Sequence, residues 1–330
     1  MSWQAPQDSK GLQEVWVVLV TYQPDLVALR KTLKLVRGQV AGIVVVDNGS
    51  GATVCETIRG WLVPQGNSNV PPAEPAQGSC LIQNDSNLGL ATAQNQGIDR
   101  ALSHGAGFVW FLDQDSLPQQ DSLSLLLSAF KTLSEQHKLA AVGPRYKHPQ
   151  SGHESRFVRF GWLPFQSVPC QSTDDHLEVD FLISSGSLVC RQALADVGLM
   201  DGALFIDHVD TDWCLRAKHQ GWRLFGVCRA VISHHLGSSG VSLTWPRRRR
   251  VALHSPVRNY YVFRNSLWLM RRAHAPLRWK VSTVLRLAVL AGFYLLFAPA
   301  RLTRFAQIWN GVRAGLGDFR GGKSFNNSFS

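Results

Sequence analysis

The chain has 330 residues, 45% of them hydrophobic, and a formal net charge of +11 at pH 7. That is enough apolar material for one large domain, or for one domain with an appendage. A small secreted domain stapled by disulfides is excluded: the six cysteines (Cys55, Cys80, Cys170, Cys190, Cys214, Cys228) show no CxxC spacing and read as buried thiols of a reducing compartment.

Met1 to Glu14 is polar and lacks the apolar core of a signal peptide, which predicts a cytoplasmic catalytic part. Val15 to Val20 is an apolar run suited to a buried strand, broken by Thr21-Tyr22-Gln23-Pro24-Asp25, and Leu26 to Val36 has helical spacing. Ile43 to Val46 is a second β-branched strand that ends in the turn chemistry of Asp47-Asn48-Gly49-Ser50. Pro64 to Ser79, rich in Pro, Gly, Asn and Ser, reads as a surface insertion. Cys80 to Gln83 predicts a third strand, Ala91 to Ser103 a helix, and Phe108 to Leu112 a fourth strand running into Asp113-Gln114-Asp115. Strands alternating with helices predict an α/β fold with a mostly parallel, doubly wound sheet and helices on both faces. Ligands bind at the carboxyl ends of such strands, where Asp47 and Asp113 fall.

From Ala141 the strands shorten (Ala141 to Pro144, Val179 to Ile183, Leu188 to Cys190), and an acidic segment then leads into a helix reaching Gln220. Leu224 to Val231 predicts a further strand. Between Asp212 and Asp318 there is no carboxylate, while eighteen Lys or Arg occur, including Arg247 to Arg250. Such a region meets phosphates, of nucleic acid or of anionic lipid. Its interleaved Trp245, Tyr260, Tyr261, Phe263, Trp268 and Trp279 favour a membrane interface. Val281 to Ala300 is apolar but interrupted by Arg286, and Leu287 to Ala300 alone is shorter than the roughly 20 residues a bilayer core requires. It reads as an interfacial or shallowly inserted element, with a spanning helix and a soluble core helix as the alternatives.

Two acidic motifs carry the chemistry. Asp207, Asp210 and Asp212 crowd into six positions flanked by Phe205, Ile206, Val209 and Trp213. Like charges this close require a cation, an Arg partner or a proton-transfer task, unless they form a solvated acidic turn at a helix start. Asp113-Gln114-Asp115 is a DxD triplet directly after a strand. Two carboxylates so placed can hold a hard divalent cation and leave positions for diphosphate oxygens; an N-capping Asp before Leu117 is the plainer reading.

Val18-Leu19-Val20-Thr21-Tyr22-Gln23-Pro24, Asp47-Asn48-Gly49-Ser50, Asn87-Leu88-Gly89 with Asn95 and Gly97, and Asp113-Gln114-Asp115 resemble the nucleotide-sugar half of a family-two inverting glycosyltransferase of the GT-A (Rossmann-like) fold. Phe181-Leu182-Ile183-Ser184-Ser185-Gly186, Phe205 to Asp210, and His254-Ser255-Pro256 with Arg258, Tyr260, Tyr261, Arg264 and Asn265 resemble its L-rhamnosyltransferase branch. The resemblance covers about residues 15 to 270. It implies a polar tail at 1–14, a GT-A domain at 15–240 (a nucleotide-sugar half at 15–120 and an acceptor and catalytic half at 121–240), and a basic membrane-associated region at 241–330.

The resemblance also implies roles. Thr21 and Tyr22 would border the nucleotide sugar, Asp47 would accept the N3–H of the pyrimidine, and Asn87 and Asn95 would shape its pocket. Asp113 would face the ribose or the metal, and Asp115 would bind Mg²⁺ or Mn²⁺. His234, in His234-His235-Leu236-Gly237, would touch metal or diphosphate; Arg258 and Arg264 would neutralise the diphosphate or serve the membrane face or the structure. The family usually has Glu-Asp at the catalytic helix, where this chain has Val209 and Asp210. That leaves the base open among Asp207, Asp210 and Asp212, with Asp210 preferred and Asp207, Asp212 and Arg216 orienting or contacting the acceptor.

The expected protein is therefore a transferase on the cytoplasmic face of the inner membrane, peripheral or shallowly inserted. It would move L-rhamnose from dTDP-β-L-rhamnose to a lipid-linked saccharide or glycolipid in O-antigen or exopolysaccharide synthesis. Rhamnolipid synthesis, a UDP-hexose donor and a sugar nucleotidyltransferase are rival enzymes. A basic membrane or nucleic-acid binding protein is the non-enzymatic rival; the expectation is no nucleic-acid partner.

Overall fold

The computed structural model describes residues 14–62, 78–147, 154–162, 167–171, 175–234, 240–243, 249–252 and 255–317. The insertion at 64–77, the tail at 1–13 and the stretch 244–248, with Trp245, Arg247 and Arg248, lie outside them.

The chain lays down β1 (Val15–Thr21), α1 (Leu26–Val36), β2 (Gly42–Asp47), α2 (Ala52–Leu62), β3 (Cys80–Gln83), α3 (Leu90–Ser103) and β4 (Phe108–Asp113). It continues with β5 (Ser116–Pro118), α4 (Ser122–Ser134), β6 (Leu139–Lys147), β7 (Phe157–Val158), β8 (Ser167–Val168), β9 (His176–Val179), β10 (Leu188–Cys190), α5 (Arg191–Val197), α6 (Val209–His219) and β11 (Arg223–His234). The strands β12 (Gly240–Leu243) and β13 (Arg249–Ala252) and the helices α7 (Pro256–Met270), α8 (Leu277–Leu296) and α9 (Arg301–Leu316) follow.

The main sheet runs β3-β2-β1-β4-β10-β6-β11-β5, with β9 also on β11. Its N-terminal half is parallel throughout, and β1, β2 and β4 are apolar runs buried on both faces, as is usual of parallel sheets. β10 enters antiparallel between β4 and β6, and β11 is parallel to β6. The core residues Val17, Leu19, Val44, Val46, Val109 and Trp110 are fully or almost fully buried. α1 starts where Asp25 accepts hydrogen bonds from the N–H groups of Val27 and Ala28, an N-cap that fixes its register.

Four expectations change. The strand expected over Val179 to Ile183 is β9, which ends at Val179, because residues 181 to 187 leave the ladder to line the end of β4. Cys170 and Cys228 form a disulfide rather than two thiols, which joins the segment after β8 to β11. Cys55, Cys190 and Cys214 are free and buried. The basic region is also less separate than the boundary at 240 implies: α7 packs on the catalytic loop through side chains described below.

The fourth change concerns the membrane face. Trp268 and Trp279 are each 4% exposed and belong to the core. Arg271 donates to the carbonyls of Leu316 and Gly317 and so caps α9, and Arg272 pairs with Asp201 and Asp212. Trp268, Trp279 and Arg272 are thereby taken up by the fold, while Arg271 stays exposed at the end of α9. The outward apolar set lies instead on α8 (Val281, Val284, Val289) and α9 (Leu302, Phe305, Trp309), one stripe per helix. α8 spans 20 residues, long and apolar enough by length and composition to cross a membrane, with 22% of its apolar window buried.

Candidate active site

The carboxyl ends of β1, β2 and β4 form the floor. At the end of β2 the Asp47 carboxylate is fully buried and engaged on both oxygens. It accepts from Thr21 Oγ1 (2.9 Å), Ser50 Oγ (2.6 Å) and the N–H groups of Gly49 and Ser50 (3.2 and 2.8 Å), with Cys55 Sγ at 3.4 Å. A pyrimidine N3–H finds no open oxygen there. Asp47 shapes the loop, and the expected base contact is corrected accordingly, along with the expected role of Thr21.

Asn95 is also structural: its amide accepts from Met200 N–H and donates to Met200 C=O, at 2.9 and 2.8 Å. Asn87, half-buried, accepts from Asn48 Nδ2 and Gly89 N–H and so holds the turn into α3. Tyr22, 42% exposed, donates its N–H to Gln114 Oε1 at 2.8 Å, joining the β1 loop to the DxD triplet.

The triplet lies on the turn between β4 and β5, so Asp115 precedes a strand and is no helix cap. Ser185 Oγ accepts the Asp113 N–H at 3.3 Å, which sets the Ser184–Ser187 segment against the end of β4. β11 pairs antiparallel with β5, and the backbone of His234 stands opposite Ser116, one residue from Asp115. The side chain of His234 lies outside the described residues.

The second acidic segment approaches the same edge. Phe205, Asp207 and His208 all have positive φ (64°, 62° and 64°), a conformation that costs L-residues about 1–3 kcal/mol each and persists only when its surroundings impose it. Here α7 imposes it. Asn265 Nδ2 donates to the carbonyls of Leu204, Ile206 and Asp207 at 2.8 to 2.9 Å. Arg264 donates to the carbonyls of Ala203 and Leu204 (2.8 and 3.0 Å) and lies over Tyr261 and Trp268, so it is a structural clasp and no free diphosphate ligand. Ser266 Oγ meets His208 Nε2 at 2.9 Å. From the other side the Leu90 N–H donates to Phe205 C=O at 2.6 Å. Gly89, at φ 87°, permits this approach, since a Cβ there would fall 2.5 Å from the Phe205 ring.

The three aspartates have separate environments. Asp207 receives Nε and Nη2 of Arg258 as a bidentate pair, so Arg258 meets a carboxylate where a diphosphate was expected. Asp212 is fully buried and accepts from Arg216 Nε (2.9 Å), Arg272 Nη1 (2.6 Å) and His274 Nε2 (2.9 Å). Burial opposes its ionisation, but Arg272 and Arg216 outweigh that and hold its carboxyl below the usual value. Arg216 also clips the Val197 and Leu199 carbonyls (2.6 and 2.7 Å). Asp212 is thereby locked as an anion.

Asp210 differs from both. Its oxygens accept only backbone N–H groups among the described residues, from Ser184 at 3.3 Å and Thr211 at 2.9 Å. Desolvation, with the charges of Asp113 and Asp207, outweighs those bonds and raises its carboxyl from 3.8 to about 6. A carboxylate so tuned ionises near neutrality and suits general-base work. Tyr146, whose hydroxyl donates to Ser185 C=O, is raised well above its ordinary value by burial and by the charges of Asp113 and Asp210. Asp113, Asp210, Asp207 and Tyr146 therefore share one neighbourhood.

A sheet whose carboxyl edge gathers a DxD turn and a base-like carboxylate defines an α/β group transferase of the GT-A type. The chain belongs to glycosyl transferase family 2, whose sequence model matches residues 16–198, and it is a glycosyltransferase. It is 30% identical over 283 residues to the dTDP-rhamnosyl transferase RfbF of Shigella flexneri, covering 82% of this chain and 84% of that protein. It is 26% identical over 201 residues to the galactofuranosyltransferase GlfT1 of Mycolicibacterium smegmatis, covering 58% and 60% of the two. Among solved structures it resembles S. aureus TarS 1-349 at a TM-score of 0.55 and 13% identity, covering 92% of this chain and 81% of that one. GalNAc-T7 with UDP, GalNAc and Mn²⁺ also matches at 0.55 and 16% identity, covering 79% of this chain and 49% of that one. At such identities the structural matches show the fold.

Proposed function

We propose that the protein is an inverting L-rhamnosyltransferase that moves L-rhamnose from dTDP-β-L-rhamnose to a hydroxyl of a lipid-linked saccharide in cell-surface polysaccharide synthesis. The observation that carries this reading is the 30% identity, over most of both chains, to a dTDP-rhamnosyl transferase. In this reading Asp210 takes the proton of the acceptor hydroxyl as its oxygen attacks the anomeric carbon opposite the departing diphosphate. Arg258 holds Asp207 so that the strained loop presents Asp210 to that face. The transition state carries oxocarbenium character, as in glycoside hydrolysis.

The half-buried carboxylates of Asp113 and Asp115 suit a hard divalent cation, Mg²⁺ or Mn²⁺. The raised Asp210 and Tyr146 register the negative charge of Asp113 at that edge. Such a cation, when bound, stabilises the charge of the leaving group. dTDP-rhamnose with Mn²⁺ is expected to raise the melting temperature by mass action on the native state, and Asp115→Asn to remove most of that rise. A larger rise with UDP-glucose contradicts the donor; a full rise in Asp115→Asn contradicts the metal site.

The lipid acceptor places the enzyme on the inner face of the cytoplasmic membrane. The exposed apolar stripes of α8 and α9, with Arg278, Arg301 and Arg313 beside them, support an in-plane mode of binding to an anionic surface. Arg286 on α8 reaches His208, and Trp279, Thr283, Leu287 and Tyr294 bury the inner side of the helix, an arrangement suited to lying along the bilayer. Cell fractionation is expected to recover the protein with membranes at low salt and to release it only partly at high salt. Val284→Glu with Val289→Glu is expected to make it soluble without unfolding. Wild-type protein in the soluble fraction at low salt contradicts the anchor.

A further inference from the structure

α8 carries its basic residues on different sides. Arg278 is exposed, whereas Arg286 turns toward the strained loop. Its Nη2 lies 3.4 Å from Nε2 of His208, an atom that Ser266 already engages at 2.9 Å. Its Nε is buried with no hydrogen-bond partner among the described residues. Asp207, whose charge Arg286 feels, is already held by two nitrogens of Arg258. Asp207, next to His208 in sequence, is thus taken by Arg258, and residues 213 to 317 contain no acidic side chain.

A desolvated guanidinium with an unmet donor is costly, and the cost disappears when a ligand supplies the missing anion. Phosphate oxygens match its planar fork, and phosphate is the anion that a sugar-nucleotide enzyme meets on its substrates. We propose that Arg286 forms a phosphate-binding site beside His208 that holds the phosphate of a substrate next to the catalytic loop. The proposal rests on the loop being the transfer site and not on rhamnose being the sugar. Two substrates can supply the phosphate: the donor brings its diphosphate, and a lipid-linked acceptor brings the phosphate of its carrier. The second is within reach because the outer side of α8 bears the apolar stripe, about one helix diameter of 10–12 Å from its inner side.

The test titrates the purified full-length protein with inorganic pyrophosphate, read by calorimetry and thermal shift. Wild type and Arg278→Gln are expected to bind alike. Arg286→Gln is expected to bind at least about tenfold more weakly, the loss expected for a charge-assisted hydrogen bond. Arg286→Lys, which keeps the charge but not the fork, falls between them. Parallel titrations with dTDP and with farnesyl diphosphate separate the sources. A loss of dTDP affinity assigns the site to the donor, and a loss of farnesyl diphosphate affinity with dTDP unchanged assigns it to the acceptor lipid. Unchanged affinity of Arg286→Gln for all three ligands, or an equal loss in Arg278→Gln, overturns the proposal. If Arg286→Gln does not fold, wild-type pyrophosphate affinity in Arg286→Lys overturns it. Pyrophosphate binding requires no transfer, so a wrong sugar assignment leaves this result intact.

Discussion

Asp210→Asn is expected to lower turnover by about 10²- to 10⁴-fold, the usual worth of a general base, while nucleotide-sugar affinity stays nearly unchanged. The amide keeps the size and the acceptor oxygen but cannot take a proton. The carboxyl of Asp210 stands at about 6, so the wild type is expected to lose activity as pH falls through about 6, with the slope of one proton. Its stability contribution has the opposite sense. A carboxyl whose folded value is raised contributes stability that is fully present below the unfolded value of 3.8 and lost as pH rises through about 6. The neutral Asn escapes that loss, so the variant is expected to be inactive yet at least as stable as wild type at pH 7. Kinetics and melting temperature measured on one preparation check both halves. A larger loss of turnover in Asp207→Asn than in Asp210→Asn would reassign the base.

Asp212→Asn is expected to act on the fold. It removes the unexposed charge shared by Arg216, Arg272 and His274, leaving Arg216 without its anion and Arg272 with Asp201 alone. Breaking a buried pair in this way costs about 3–5 kcal/mol. The network joins α6, the Asp201 turn and the end of α7, so the loss is expected to loosen the catalytic loop as well. The Asp212 carboxyl is held low, so the stability it contributes is fully present above its unfolded value near 3.8 and disappears as pH falls below it. Denaturant melts at pH 7 and pH 3 check this: the gap between wild type and variant should narrow sharply in acid. A gap unchanged between the two would show that the network contributes little.

Much of the nucleotide-sugar half was legible because its signals are local. The expected bounds of α1 and β3 coincide with the observed ones, β1 and β4 differ by a residue at one end, and β2 by a residue at each end. Leu26 to Val36 begins at an Asp whose side chain caps it, and β1, β2 and β4 are apolar runs, rich in Val in the first two. The three aspartates could not be separated in sequence, because their environments are set by distant partners. Asp207 meets Arg258 from 51 residues away, and Asp212 meets Arg272 from 60. Counted by composition, the Arg and Trp residues of α7 and of the turn after it resemble a membrane surface; packed, Arg264, Arg272 and Trp268 are interior groups, and the exposed Arg271 caps α9. Asp47 and Asn95 illustrate the converse: the strand-end position was legible, but not that the surrounding hydroxyls and amides occupy their acceptors. Asn265 stood among the recognised residues without a role, and no local signal marks it as the amide that holds three carbonyls of the loop.

The roles given to Asp210 and Asp115 both serve the proposed transfer of L-rhamnose from a dTDP donor by this site. Nucleoside diphosphate release from a panel of nucleotide sugars, with bacterial membranes as the source of acceptor, tests it most directly. The expected result is membrane-dependent dTDP release from dTDP-β-L-rhamnose, abolished in Asp210→Asn and at least about tenfold faster than release from UDP-glucose or UDP-N-acetylglucosamine. Faster release from a UDP-hexose, or equal release in Asp210→Asn, would contradict it.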